Sequence, residues 1–285
     1  MRICLITDNK KSYSTKNFLK EARLAGKSIT IASWQNILFN SDKNSLLLNK
    51  KISLDKFDAV ILRSSKTSLT PSSLVLDYCE HNNIRLLNKC FYLRYQSVNK
   101  LRQQVIFKIK KIPYLKTLYG ENLSFGLLKK ELGMPFVAKF AHGSLGKQVF
   151  KISSLKEFSN FIIKRKLDKQ LYLFQKFYKT DCDYRVFIVG KKVFGPVKRI
   201  APEGEWKTNT RGTKHKRAEQ EKRVLNFAKK IIEKTSLEFA GLDILIDSTG
   251  KPRLIEINTM ACFKVFDKIY PEINIAKKTI ALFII

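Results

Sequence analysis

No apolar run in this chain reaches the ~18–20 residues that a membrane-crossing helix needs. The opening residues, MRICLITDNK, lack the apolar core and small-residue cleavage site of a secretory signal. A membrane partner is therefore not expected, and a cytoplasmic location is. Cysteine is sparse: Cys4, Cys79, Cys90, Cys182 and Cys262 are odd in number, scattered, and form no C-x-x-C. That argues against a disulfide framework or a thiolate metal cluster. Glycine is thin, 12 in 285 residues, and no G-x-G-x-x-G follows the first apolar run, so a dinucleotide fingerprint is missing. Acid is scarce as well, 24 Asp+Glu against 55 Lys+Arg, for a net charge of +31. Such a surface attracts nucleic acid, anionic membranes or acidic proteins. The cations are 42 lysines and 13 arginines spread along the whole chain, however, whereas base and phosphate readers favour arginine in forks and stacks. Nucleic acid is thus not the favoured partner; part of the excess is available to attract an acidic substrate.

What is present is a folded chain, 44% hydrophobic, long enough for a large core and two or three domains. Over residues 1–90, RICLIT (2–7), SITIAS (28–33), DAVILRSS (58–65) and IRLLN (84–88) read as strands, and TKNFLKEARLAG (15–26) and PSSLVLDYCEHNN (71–83) as helices. Strands alternating with helices predict a parallel sheet covered on both faces. Residues 91–135 read as largely helical, with an extended piece at Ile112-Pro113 and a helix stopping at Gly133. Beyond 135 the chain is strand-rich, with helices at 154–166 and 217–234 and a last helix near the C-terminus. The expected organisation is an α/β domain over 1–92 followed by two α+β units over 93–175 and 176–285.

The stretch GLDILIDSTGKPRLIEINTM (241–260) reads as two strands joined by a tight turn at Thr249-Gly250, yet Asp243, Glu256 and Asn258 lie inside those strands. With a two-residue loop, opposed residues keep a constant sum of 499. Asp243 then faces Glu256, and Asn258 shares their face. Like charges directly opposed destabilise a sheet. A cation between them resolves the conflict, and three hard oxygen donors suit Mg²⁺ or Mn²⁺. A solvent-facing hairpin with ordinary surface acids is the competing reading.

Divalent ions held by few carboxylates usually carry phosphates too. In PFVAKFA (135–141), Lys139 shares a strand face with Val137 and Ala141, and a lysine among such neighbours needs an anionic partner. The following HGSLGKQ (142–148) offers Gly143 and Gly146, whose backbone N–H groups can approach phosphate closely, and the Ser144 hydroxyl. No G-K-[ST] opens a helix, so this is not a Walker loop. A surface turn of glycine and serine is the plainer alternative. A third cluster, 184–212, gathers Arg185, Lys198, Arg199, Lys207, Asn209 and Arg211 around Trp206, and functional and ordinary basic-surface readings both fit it.

Taken in order, the motifs DAVILRSS, LLN, VNKLRQQ, GMPFVAKFAHGSLGKQV, LFQKF, DYRVFIVGKKV, RIAPEGEWKTN and GLDILI…LIEIN resemble the ATP-grasp superfamily, and within it the RimK-type carboxylate–amine ligases, over roughly residues 58–260. The resemblance implies an ATP-grasp fold in which two α+β subdomains clamp ATP. It implies that Lys139 and Lys100 contact the phosphates, that Lys176 and Phe177 form the adenine hinge, and that Asp183 contacts the nucleotide. Lys207, Thr208 and Asn209 fall on an Arg-Ser-Asn-like triplet near the phosphates, Arg199 on an arginine near the reacting centre, and Asp243, Glu256 and Asn258 on the metal ligands. Four departures stand out: Lys176 replaces the usual hinge Glu, Gln148 a flap glycine, Lys207 an arginine, and TMACF the Gly/Pro turn after Asn258. The implied reaction activates a carboxylate as an acylphosphate and gives it to an amine, adding a glutamate-like amino acid to a peptide or protein. A small-metabolite ligase, a ribosomal-peptide tailoring enzyme and a non-enzymatic nucleic-acid binder on a degenerate scaffold are the alternatives.

Overall fold

The computed structural model describes residues 1–63, 69–95, 100–141, 148–168 and 171–283. The chain opens with β1 (Arg2–Ile6), α1 (Tyr13–Leu24) and β2 (Ser28–Ala32), then three short strands, β3 (Leu38–Asn40), β4 (Ser45–Leu48) and β5 (Ile52–Ser53). β6 (Ala59–Leu62), α2 (Leu69–His81) and β7 (Arg85–Leu86) follow. β2, β1, β6 and β7 form the expected parallel sheet, in that order. All four residues of β6 and four of the five in β1 are buried, as a sheet covered on both faces requires. Ser12 caps α1 by accepting the Thr15 N–H, and Phe18 and Ala22 turn inward. The sequence reading missed the antiparallel β3–β4–β5 sheet. Its strands are two to four residues long, too short for a periodic pattern.

Two helices, α3 (Lys89–Tyr95) and α4 (Lys100–Ile109), lead into a second sheet. It is built from β8 (Thr117–Leu118), β9 (Phe136–Phe140), β10 (Val149–Ile152) and β11 (Tyr172–Lys176), in the order β10-β9-β11-β8, all antiparallel. Helices α5 (Phe125–Leu132) and α6 (Leu155–Asp168) supply Leu128, Leu132, Phe158 and Phe161, which pack on Phe136, Tyr172 and Phe174. Gly133 ends α5 at φ +77°, the cap its sequence predicts.

A third sheet has the order β14-β13-β12-β15-β16. Its strands are β12 (Cys182–Val189), β13 (Lys192–Ile200), β14 (Lys214–Arg217), β15 (Phe239–Ile246) and β16 (Pro252–Asn258). Helix α7 (Lys222–Thr235) buries Val224, Phe227, Ala228 and Ile231 on one face. Helices α8 (Lys264–Ile269) and α9 (Ile275–Ala281) place Phe266 and Ile280 in a core with Phe187 and Phe239. The reading of one helix over 217–234 is corrected: Lys214–Arg217 is a strand paired with β13, and the helix begins at Lys222. Four polar residues carry no strand signal of their own; cross-strand pairing creates it. The expected single last helix is two.

The parallel sheet and the third sheet share two hydrophobic cores and a polar clamp. Asn88, 1% exposed, accepts the Glu238 and Phe239 N–H groups through Oδ1 and donates to the Phe239 carbonyl. Glu238 in turn pairs with Arg85 and accepts the Asn88 N–H. Asn88 sits at φ +64°, a conformation asparagine tolerates better than most residues.

Candidate functional site

The β15–β16 hairpin carries the first three candidate residues. Asp243 pairs with Glu256, and Gly241 with Asn258, as the constant sum predicts. The turn that motivated that sum is different. Asp247 N–H bonds the Lys251 carbonyl, leaving a three-residue loop, Ser248–Gly250, with Gly250 at φ +76°. From Ile246↔Pro252 to Ile244↔Leu254 the register is therefore one residue off. A β-bulge at Ile255 then restores it before Glu256. Two one-residue offsets cancel, and the three oxygen-bearing side chains share a face. Asp247 holds the loop: its Oδ1 accepts from the N–H groups of Thr249 and Lys251 and the Thr249 hydroxyl, and its Oδ2 from Arg253.

Across β12, Arg185 lies opposite Asp243 and forks onto both of its oxygens. Arg199, on β13, reaches Asp243 Oδ1 at 3.1 Å and forks onto Asp183, which also accepts the Thr208 hydroxyl. Burial alone would raise the Asp243 pKa; Arg185 and Arg199 outweigh it and hold it at about 2. For Arg199, burial favours the neutral form but Asp243 and Asp183 prevail, so it stays charged. Lys100, from α4, approaches Glu256 Oε2 at 3.7 Å.

Facing this sheet is β9 with Lys139, the two walls enclosing a cavity of about 530 Å³. Burial pushes the Lys139 pKa down to about 8, opposed by Glu256 and helped by Lys100. At one end, Lys176 and Phe177 leave β11, and Phe177 meets Trp206 edge-on at 5.7 Å. Lys207 lies over the Trp206 ring at 5.4 Å. Lys100, Lys139, Lys176, Phe177, Asp183 and Arg199 all line the cavity. So do Lys207, Thr208, Asn209, Asp243, Glu256 and Asn258. Gly143, Ser144 and Gly146 lie outside the described residues.

Among the lining residues that the sequence does not mark as site residues are Arg185, His215 and Gln175. Arg185 was noticed only as part of a basic cluster. His215 pairs with Arg199 across β13–β14, and burial with the adjacent guanidinium lowers its pKa. Gln175 is 2% exposed and donates to Thr117, but its Oε1 has no hydrogen-bond partner among the described residues. The signal was available in LYLFQKF, where a polar side chain interrupts a buried strand.

A model of the RimK-like ATP-grasp domain matches residues 96–283. The chain belongs to this family. A protein named probable alpha-L-glutamate ligase from Legionella pneumophila is 28% identical over 292 aligned residues, covering 98% of this chain and 94% of the relative. One of the same name from Cellvibrio japonicus is 26% identical, covering 91% and 87%. Among solved structures, the ATP-grasp ligase PsnB complexed with minimal precursor, Mg and ADP superposes with TM-score 0.73 at 17% identity, covering 99% and 96%. D-cycloserine synthetase DcsG gives 0.70 at 16% identity, covering 99% and 100%. The RimK-like ATP-grasp domain thus spans residues 96–283, the chain as a whole shares the fold of ATP-grasp ligases, and the protein is an ATP-dependent carbon–nitrogen ligase.

Membership gives the cavity a test: ATP-grasp ligases use ATP and magnesium, and the residues present must suit both. Gln175 Oε1, in the cavity wall, has no hydrogen-bond donor among the described residues, a need that an adenine amino group would suit. Asp243, kept ionised by Arg185 and Arg199, shares one face with the Glu256 carboxyl and the Asn258 amide, all oxygen donors. With so few protein oxygens, phosphates would be needed to complete the shell of a magnesium ion. The donor types suit both groups, but Arg185 and Arg199 already take both oxygens of Asp243, and Asn258 Oδ1 accepts the Met260 N–H, so magnesium would have to displace a guanidinium to bind Asp243. Among the described residues, no helix is long and apolar enough to cross a membrane.

Proposed function

We propose that this ligase joins a glutamate-like amino acid, through its amine, to a carboxylate of a peptide or protein. The observation that carries the proposal is the shared cavity in which Lys139 of one sheet faces Asp243, Glu256 and Asn258 of another. Relatives named for glutamate ligation suggest the amine; a fold neighbour complexed with a precursor peptide agrees with a peptide acceptor. In this reading the units 93–175 and 176–285 hold the nucleotide between them, behind the α/β unit 1–92.

A substrate carboxylate oxygen attacks the γ-phosphorus of ATP, and ADP leaves. The amine then attacks the acyl carbon, the C–O bond to phosphate breaks, and an amide and phosphate result. The chain's contribution is positioning and charge. Lys139, Lys100 and Lys207 offset phosphate charge, with Thr208 and Asn209 beside them. Lys176 and Phe177 offer backbone groups to adenine, with Gln175 behind. Asp243, Glu256 and Asn258 would hold magnesium, which when bound neutralises charge developing on the phosphates. Asp183 and Asp243 grip Arg199 in place, making it a preorganised cation toward the acyl oxygen.

The experiment is ADP release from purified protein offered paired acids and amines, glutamate-ended peptides with L-glutamate among them, with product masses recorded. Amide formed from the peptide and glutamate supports the proposal. Turnover confined to small acids without peptides would move the assignment to a small-metabolite ligase.

A further inference from the structure

A second groove, of about 560 Å³, lies where the residues after α4, the edge of the buried face of α7 and the start of β16 meet. It shares no lining residue with the ATP cavity. Its rim carries Lys111, Lys230, Lys234, Lys251 and Arg253, so five of its ten lining residues are cationic and none is acidic. Lys and Arg make up 55 of the chain's 285 residues, a rate that puts about two in a set of ten, against five in this groove. Arg253 is already held by Asp247 at 2.6 Å, and Lys234 Nζ donates to the Lys111 carbonyl. Lys111, Lys230 and Lys251 make no ion pair among the described residues. Between the cations, Pro113, Pro252 and Phe227 form apolar walls. The groove also abuts the ATP cavity: Arg253 lies over the Tyr178 ring at 5.3 Å, and Tyr178 lines that cavity.

We propose that this groove docks an acidic segment of the peptide or protein acceptor, carboxylates meeting the lysines and an apolar side chain seated between the prolines. The inference rests on the peptide-acceptor reading above. Charge complementarity selects the occupant. Nucleic acid fits less well, because no exposed aromatic lines the groove for a base to stack on. Seating the acceptor here, beside a wall of the ATP cavity, raises the effective concentration of its reacting carboxylate.

The probe is a fluorescent dodecapeptide of glutamates flanking two leucines, followed by anisotropy at physiological salt. Lys230→Glu/Lys234→Glu is compared with Lys16→Glu/Lys20→Glu, an equal charge change at exposed positions of α1. Because Lys234 also bonds a carbonyl, Lys230→Glu/Lys251→Glu serves as a second groove variant. Both groove variants are expected to weaken peptide binding by about tenfold or more, and the α1 variant by less than about twofold. Replacing the leucines by serine should weaken it several-fold. ATP affinity stays the same in all variants, and KM for a peptide acceptor rises in the groove variants while kcat and the KM for the amino acid hold. Equal losses in the groove and α1 variants, no binding by the wild type, or loss of oligouridylate binding alone would each overturn the inference. Absence of any amide product in the wild type would instead overturn the ligase assignment to peptides, so the two failures are distinct.

Discussion

Lys139 should make ATP binding pH-dependent in a direction that exposes its role. In the free protein its ammonium is half-buried on β9, and burial lowers its pKa to about 8 despite Glu256. Triphosphate bound against it favours the charged form. Its pKa in the complex must then be higher than in the free state, so binding takes up a proton. The affinity owed to the charged lysine is fully present below pH 8 and declines as pH rises through that value. One pH unit above the free pKa costs about tenfold, so Kd at pH 9 should exceed Kd at pH 7 by about tenfold. Titration calorimetry with ATP and magnesium measures this directly, and buffers of different ionisation enthalpy count the proton. Lys139→Arg keeps its charge throughout and should flatten the profile; Lys139→Met should bind weakly at every pH. A flat wild-type profile from pH 7 to 9, or an unchanged slope in Lys139→Arg, would refute the reasoning.

Three more expectations concern the hairpin and the clamp. Asn88→Ala strands the Glu238 and Phe239 N–H groups and should cost about 2–4 kcal/mol in urea unfolding; a loss below about 0.5 kcal/mol would contradict the clamp. Four donors hold the Asp247 pKa well below the usual carboxylate range, against the opposing effect of burial, the largest single influence. Its contribution is present above the unfolded value near 4 and lost as pH falls, so Asp247→Asn should be less stable at pH 7 and lose less stability on acidification. Glu256→Gln should keep the fold by circular dichroism but lower turnover by ~100-fold or more, and parental turnover would remove the metal assignment.

How much the sequence disclosed depends on how local each signal is. β1 and β6 were legible because strands buried on both faces leave continuous apolar runs. The charged face of the hairpin was legible because its side-chain period is two, although the loop is one residue longer than read and the bulge at Ile255 made up the difference. No local pattern announces that bulge. β14 was illegible, since KHKR is a strand only because β13 lies beside it. Arg185 and His215 resemble solvent-facing polar residues until neighbouring strands and the facing sheet close over them, whereas Gln175 interrupts an apolar run and is legible by that. The family resemblance gathered residues that are up to 158 positions apart, from Lys100 to Asn258, and the cavity holds both ends of that span.

The central claim is that a carboxylate is activated by phosphate transfer before an amine takes it. A glutamate-ended peptide carrying heavy oxygen in its terminal carboxylate, incubated with ATP, magnesium and L-glutamate, tests this directly by mass analysis of the phosphate released. The account predicts one heavy oxygen in each inorganic phosphate, formed in step with amide and ADP. Amide formed with unlabelled phosphate, or with AMP in place of ADP, would contradict it.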